Sequence, residues 1–325
     1  MPTNQHTVDV LLTDAERHGA LVDDARRGLA ASPKAISPMW FYDERGSVLF
    51  DEITRLPEYY PTRTERRLLV DHAAEIAAVS GAETLVELGS GTSDKTRILL
   101  DALRATGTLR RYAPLDVSDE TLRTAAVELA GDYPDIDIHA VVGDFHRHLG
   151  ALPADGRRLV AFLGSTIGNL MPSERARFLF DLDGALAHDD RLLLGVDLVK
   201  DPVRLVAAYD DAAGVTAAFN RNALHVLNRV LGADFEPARF DHVAVWDDER
   251  RWIEMRLRAR LGHVVHVDAL GLDVRFEQGE ELRTEISAKF TPGGIAAELE
   301  RAGFVVERTW DADGDFLLVL ARPYC

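Results

Sequence analysis

The 325-residue chain has one cysteine, Cys325 at its last position, so a disulfide framework within the chain is excluded. A thiol at a chain end is also a poor catalytic nucleophile, because such ends are rarely held in place. Long apolar runs are missing: stretches such as LLLGVDLV at 192–199 fall far below the ~20 residues of a membrane span. They read as buried parallel strands instead. Basic residues are in deficit, 37 against 54 acids, for a formal net charge of −17. Such a surface repels nucleic acid and anionic membranes, and neither is expected as a partner. No His/Cys/Asp cluster has zinc-like spacing, so no metal is expected. The opening MPTNQHTVDVLLTDAERHGA has no basic segment followed by an apolar one, and is not read as a secretory signal. With the lone cysteine, this points to a cytoplasmic protein. Internal repeats and low-complexity tracts are absent.

What is present is 46% hydrophobic residues over a length suited to one large domain or two ordinary ones. Residues 13–30 have helical spacing of Val22, Ala25 and Leu29. Residues 32–65 read as a loop-rich segment with four prolines and a cluster of aromatics: Trp40, Phe41, Tyr42, Phe50, Tyr59 and Tyr60. Packing onto a core accounts for Trp40, Phe41 and Phe50, whereas the tyrosines carry a polar handle suited to a ligand. From residue 64, helices alternate with short β-rich runs at 84–91, 110–118, 137–145, 157–170 and 190–199. That rhythm predicts a parallel, doubly wound α/β sheet with ligands at the carboxyl ends of its strands. At 200 it breaks. Residues 202–235 read as helical, and 251–267 alternate as an antiparallel strand would. Strand, turn and strand follow at 272–287, a helix at 292–302, and two strands joined by an Asp/Gly turn at 303–323. The simplest organisation is a sheet domain of 64–199 and 288–325 with a discontinuous α+β cap of 1–63 and 200–287. The ligand site is expected between the two.

The strongest local signal is VELGSGTSDKT (86–96), in which Glu87 precedes Gly89-Ser-Gly91 at a strand end. Glycines let a backbone turn sharply and approach a ligand closely. A dinucleotide turn would carry a third glycine to pack helix on strand, and position 94 is Asp instead. The E-x-G-x-G form, followed by a strand ending in Asp116, resembles class I methyltransferases with a Rossmann-like sheet. An acid at Asp116 suits both ribose hydroxyls of S-adenosyl-L-methionine, although it also precedes a helix and would serve as a cap. Asp144 and Phe145, after the third strand, suit the adenine amino group and ring. Lys95, beside the turn, suits the cofactor carboxylate.

Beyond the sheet motifs, the chain resembles the histidine-specific methyltransferase family, whose founding role is ergothioneine biosynthesis. Four segments carry the resemblance: WFYDERGSVLFDEITRLPEYYPTRTE (40–65), ELGSGTSDKT (87–96), FLGSTIGNL (162–170) and FEQGEELRTEISAKFT (276–291). It implies three rounds of Nα-methylation of free L-histidine to hercynine by a monomer, with S-adenosyl-L-methionine as donor. It further implies that Gly89, Lys95, Asp116, Asp144 and Phe145 hold the cofactor. Tyr59, Asn169, Tyr209, Glu285 and Ser287 would hold histidine, with Tyr42, Gly164 and Met255 lining the pocket. Asn169 and the Tyr209 hydroxyl would donate to the carboxylate, and Glu285 and Ser287 would take the two imidazole nitrogens. No strong general base stands out; Tyr42 and water are the candidates. The nearest alternative is a family member that methylates a tryptophan-derived amino acid, against which Glu285 with Ser287 argues, because an indole has a single N–H. A non-catalytic amino-acid-binding protein on the same scaffold would be expected to lose the glycine turn or Asp116, and both are present.

Overall fold

The computed structural model describes residues 6–91, 93 and 95–324, so Asp94 and Cys325, both used in reading the sequence, lie outside the described residues. The chain opens with β1 (His6–Val10), α1 (Asp14–Ala30), β2 (Lys34–Ala35), α2 (Glu44–Thr54) and α3 (Pro61–Ser80). Alternation follows through β3 (Thr84–Leu88), α4 (Thr96–Thr106), β4 (Arg111–Asp116), α5 (Asp119–Asp132), β5 (Asp137–Val142), β6 (Arg158–Phe162), α6 (Pro172–Ala185) and β7 (Arg191–Asp197). Then come α7 (Pro202–Ala207), α8 (Val215–Leu231), β8 (Phe240–Asp247), β9 (Trp252–Ala259), β10 (His263–Val267), β11 (Leu272–Phe276) and β12 (Glu281–Ala288). The last elements are α9 (Pro292–Arg301), β13 (Phe304–Asp311) and β14 (Phe316–Pro323).

These elements form two compact units. The first comprises Met1–Leu12, Pro61–Val199 and Phe290–Cys325. Its eight-stranded sheet has the order β1-β5-β4-β3-β6-β7-β14-β13. Pairing is parallel from β1 to β7, and β14 runs antiparallel to both β7 and β13. This is a doubly wound, Rossmann-like α/β sheet, closed by a reversed C-terminal pair. Strand order changes direction between β3 and β6, the switch point at which such sheets bind ligands. Both strands are buried along their whole length, as continuous apolar runs in parallel sheets are. Helices α3, α4 and α5 pack onto it through Leu68, Leu69, Leu99, Leu103, Leu122 and Leu129.

Residues 6–12, expected with the cap, belong instead to the sheet unit. The reason is a backbone ladder: His6–Val10 pairs residue by residue with Ile138–Val142. An edge strand whose side chains are mostly exposed leaves little hydrophobic pattern to read.

The second unit comprises Thr13–Tyr60 and Lys200–Lys289. It holds a four-stranded sheet, β2-β12-β9-β8, and the two-stranded β10-β11. Its core contains Trp40, Phe41, Phe219, Leu224, Leu227, Ile253 and Leu257. Two sequence expectations are corrected, and one strand is added. The loop-rich segment 32–65 contains the 11-residue helix α2, started where Asp43 accepts the Gly46 amide at 2.8 Å. The helical stretch 202–235 is two helices, and Asp211 begins the second by accepting the amides of Val215 and Thr216 at 3.0 and 2.7 Å. Strand β8 was not foreseen, because it is half-buried along almost its whole length and shows no clear alternation.

Candidate functional site

In the first unit, β3 ends at Leu88 and the chain turns through Gly89 and Gly91, with φ of 69° and 51°. Both lie in the left-handed region, and a Cβ at either would point into open space, so the turn leaves a cradle for a ligand beside the backbone. The buried Ser90 hydroxyl between them has no hydrogen-bond partner among the described residues. Asp116, at the end of β4, accepts the Gly91 amide on Oδ2 and the Ser118 amide on Oδ1, each at 2.9 Å. Asp144 follows β5 and accepts the His146 amide on Oδ1 at 2.9 Å. The Phe145 ring beside it stands edge-on to Phe162 and Phe178, at 5.2 and 5.5 Å between centroids. Carboxyl ends of three adjacent parallel strands thus bring the turn, Asp116, Asp144 and Phe145 into one row.

Two buried acids brace that row. Glu87 accepts the hydroxyls of Thr96 and Tyr112, both at 2.5 Å, and Tyr112 also pairs with Ser93 at 2.9 Å. Burial pushes the Glu87 carboxyl up to about 7 against the pull of those hydrogen bonds. Glu65, fully buried on α3, accepts the Gly164 amide at 2.7 Å and forms an ion pair with Lys95. Gly195 on β7 makes room for it, since a Cβ there would lie 2.1 Å from Glu65 Oε1. Lys95 is therefore held between a buried carboxylate and the loop after β6, where Gly164 turns with φ 75°. Asn169 ends the 3-10 turn Thr166–Asn169 in that loop, half-buried, and its carboxamide makes no hydrogen bond to another described residue.

In the second unit, Glu285 and Ser287 lie on one face of β12, as alternation requires. Glu285 pairs across the ladder with Met255 of β9, which is buried, and Ser287 with Ile253. Glu285 is half-buried and takes no hydrogen bond from another described residue. Desolvation raises its carboxyl to about 8, and nearby Lys289 draws it partly back. Ser287 is buried and lies 2.8 Å from the Tyr209 hydroxyl, and Lys289, itself buried, donates to both oxygens at 2.9 Å. The Tyr59 ring stands edge-on to Tyr209 at 6.1 Å. Tyr42 stands edge-on to Phe50 and Phe219, at 6.1 and 6.0 Å. Behind this face runs a buried relay. The Tyr209 carbonyl meets His242, which meets Asn220, which accepts from Thr284 beside Glu285, at 2.8, 2.8 and 2.6 Å.

The second unit thus gathers Tyr42, Tyr59, Tyr209, Met255, Glu285 and Ser287, while Gly164 and Asn169, assigned to the same ligand, lie on the first. Sequence reading overlooked Glu65 and Lys289. Both left a signal: Glu65 interrupts the buried stripe of α3 that contains Leu68, Leu69, Ala73 and Ile76. Lys289 continues the alternation of Glu285 and Ser287.

A family model described as histidine-specific methyltransferase, SAM-dependent, matches residues 21–323. The chain belongs to this family. Among its relatives, the histidine N-alpha-methyltransferase of Mycolicibacterium smegmatis is 58% identical, over 93% of this chain and 94% of its own. The Mycobacterium tuberculosis protein of the same name is 55% identical, over 94% and 95%. A 4-dimethylallyltryptophan N-methyltransferase of Claviceps purpurea is 26% identical, over 83% and 85%. Every site residue named above falls inside the span matched by the family model. Among the described residues, no group of three or more His, Cys, Asp or Glu is arranged to hold a metal ion, and no helix is long and apolar enough to cross a membrane.

Proposed function

We propose that this family member methylates the α-amine of free L-histidine three times, giving hercynine, the first step of ergothioneine biosynthesis. The observation that carries the substrate is the pair on β12: Glu285, a half-buried carboxyl taking no hydrogen bond from another described residue, and Ser287 two residues on along the same face. A desolvated acid of this kind needs a polar partner once a ligand covers it, and an imidazole nitrogen is one. Leucine or phenylalanine would leave it unpaired, at a cost of about 1–3 kcal/mol. The two mycobacterial relatives named for histidine support the same choice.

In this reading Gly89, Lys95, Asp116, Asp144 and Phe145 hold S-adenosyl-L-methionine, which when bound supplies an electrophilic methyl group on a sulfonium. The cradle at Gly89 and Gly91 and the orphaned Ser90 hydroxyl fit such a group. Asp116 accepts from the ribose, Asp144 from the adenine amine, and Phe145 packs on the ring. Lys95, oriented by Glu65, meets the cofactor's carboxylate. Asn169 and Tyr209 donate to the histidine carboxylate, Tyr59, Gly164 and Met255 line the pocket, and Tyr42 stands beside the amine. The chain's work is positioning and exclusion of water. The amine must be neutral before each round, so a proton leaves each time, to Tyr42 or to water. After the third round the nitrogen has neither proton nor lone pair, and the reaction stops. The protein acts as a cytoplasmic monomer.

Mass spectrometry after incubation with S-adenosylmethionine and the twenty amino acids tests the reading. The expected product is histidine heavier by three methyl groups. A methylated tryptophan with histidine untouched would overturn it, as would the absence of S-adenosylhomocysteine.

A further inference from the structure

The ladder between β12 and β9 contains one irregular step. From Arg283 to Glu285, β12 advances two residues while β9 advances one, from Arg256 to Met255, so Thr284 is the extra residue of a β-bulge. Side chains directly opposite in an antiparallel ladder share a face. Leu282 pairs with Leu257 and Glu285 with Met255, and Leu257, Met255 and Leu282 all belong to the core of this unit. Before the bulge, Glu281 and Arg283 lie opposite Arg258 and Arg256 on the other face. There Glu281 forms ion pairs with Arg258 and Arg256 at 2.7 and 2.6 Å, and Arg256 a further one with Glu254 at 2.8 Å. Strict alternation would carry Glu285 and Ser287 onto that charged face with Arg283. The extra residue turns both to the face of Met255 and Ile253 instead.

We infer that Thr284 and Asn220 are positioning residues that hold this bulge and thereby aim Glu285 and Ser287 at the substrate. The inference rests on the histidine reading above. Both side chains are fully buried. The Thr284 hydroxyl meets the Asn220 carboxamide oxygen at 2.6 Å and the Met255 carbonyl at 3.0 Å. Asn220, on α8, donates to the Arg256 carbonyl at 3.1 Å and to His242 Nδ1 at 2.8 Å. The orientation of its amide is fixed, because the reverse would set its oxygen against the Arg256 carbonyl. Met255 and Arg256 are the two β9 residues that face the bulge, and a side-chain hydrogen bond thus holds the carbonyl of each. Because His242 accepts on Nδ1, its proton sits on Nε2, which donates to the Tyr209 carbonyl at 2.8 Å. The amide that pins the bulge therefore also anchors, through one ring, the residue assigned to the substrate carboxylate.

The test is a double-mutant cycle between Thr284→Val and Glu285→Ala, read as kcat/KM for methylation of L-histidine. Valine keeps the shape of the threonine side chain and removes its hydroxyl. Alone, Thr284→Val should lower kcat/KM about tenfold, chiefly through KM, because Glu285 and Ser287 are no longer held on target. In the Glu285→Ala background the same change should cost about threefold or less, since the contact it acts through is already gone. Affinity for S-adenosylhomocysteine should stay within about twofold, the cofactor residues being distant and in the other unit. Thr284→Ser, which keeps the hydroxyl, should recover most of the loss. Asn220→Ala frees the bulge from the α8 side and should show the same split, which keeps the test decisive if Thr284→Val does not fold. Equal losses in both backgrounds, as general destabilisation would give, overturn the inference, and so does a Thr284→Ser variant as weak as Thr284→Val. If the unaltered enzyme methylates a different amino acid, the histidine reading fails, and the same cycle run on that substrate still decides the role of the bulge.

Discussion

Glu87 lies directly beneath the glycine turn, and its ionisation should be visible in the stability of the whole protein. The residue is only 4% exposed, and its carboxyl is raised from 4.5 to about 7, chiefly by burial. A folded-state value above the unfolded one means that the native state binds the proton more tightly. The neutral acid is therefore favourable below the unfolded value, and that advantage is lost as pH rises through about 7. Between pH 4 and pH 8.5 the loss amounts to about 3 kcal/mol at 1.36 kcal/mol per pKa unit. Glu87→Gln keeps an oxygen to accept from Thr96 and Tyr112 and cannot ionise. Thermal and urea unfolding of both proteins, followed at several pH values, isolates this group, because every other titration is common to the pair. The variant should gain on the unaltered protein from pH 5 to about pH 7.5 and hold that gain above it, reaching about 2–3 kcal/mol, or several degrees in Tm. Parallel curves would mean that Glu87 is already ionised in the native state, stabilised by its two hydroxyls, and would refute the reasoning.

Asp116→Ala should lower affinity for S-adenosylhomocysteine about tenfold or more in a calorimetric titration, the worth of one hydrogen bond to a charged group; unchanged affinity would remove Asp116 from the site. Gly195→Ala would put a methyl group 2.1 Å from Glu65 Oε1. The displaced carboxylate should release Lys95 and Gly164, lowering both Tm and cofactor affinity, and a variant equal to the parent in both would show that Glu65 does not brace the site. Histamine, which lacks the carboxylate assigned to Asn169 and Tyr209, should turn over far more slowly than histidine, and equal rates would overturn that assignment. Glu285→Ala should reduce kcat/KM for histidine about tenfold or more and raise the ratio of tryptophan to histidine activity; a fixed ratio would mean that Glu285 does not read the ring.

The sheet was legible because its physics is local and periodic. Apolar runs such as RLLLGVD form strands buried on both faces, and intervening helices with one apolar stripe can only cover them. Gly89 and Gly91 were legible for a similar reason, since a strand that turns sharply into a helix demands positive φ. Glu285 and Ser287 could be assigned to one face from the period of a strand alone. By itself, then, the sequence determined the fold class, the glycine turn with its row of acids at the strand ends, and the face that Glu285 and Ser287 share. The tertiary structure decided what depends on contacts between distant segments. It put β1 on β5 across more than a hundred residues, joined by backbone hydrogen bonds that leave no side-chain pattern. It set Glu65 against Lys95, Gly164 and Gly195, where burial rather than spacing selects the partner. It also brought Lys289 to Tyr209, residues 80 apart in the chain, because a buried ammonium must find acceptors and only the folded chain supplies them.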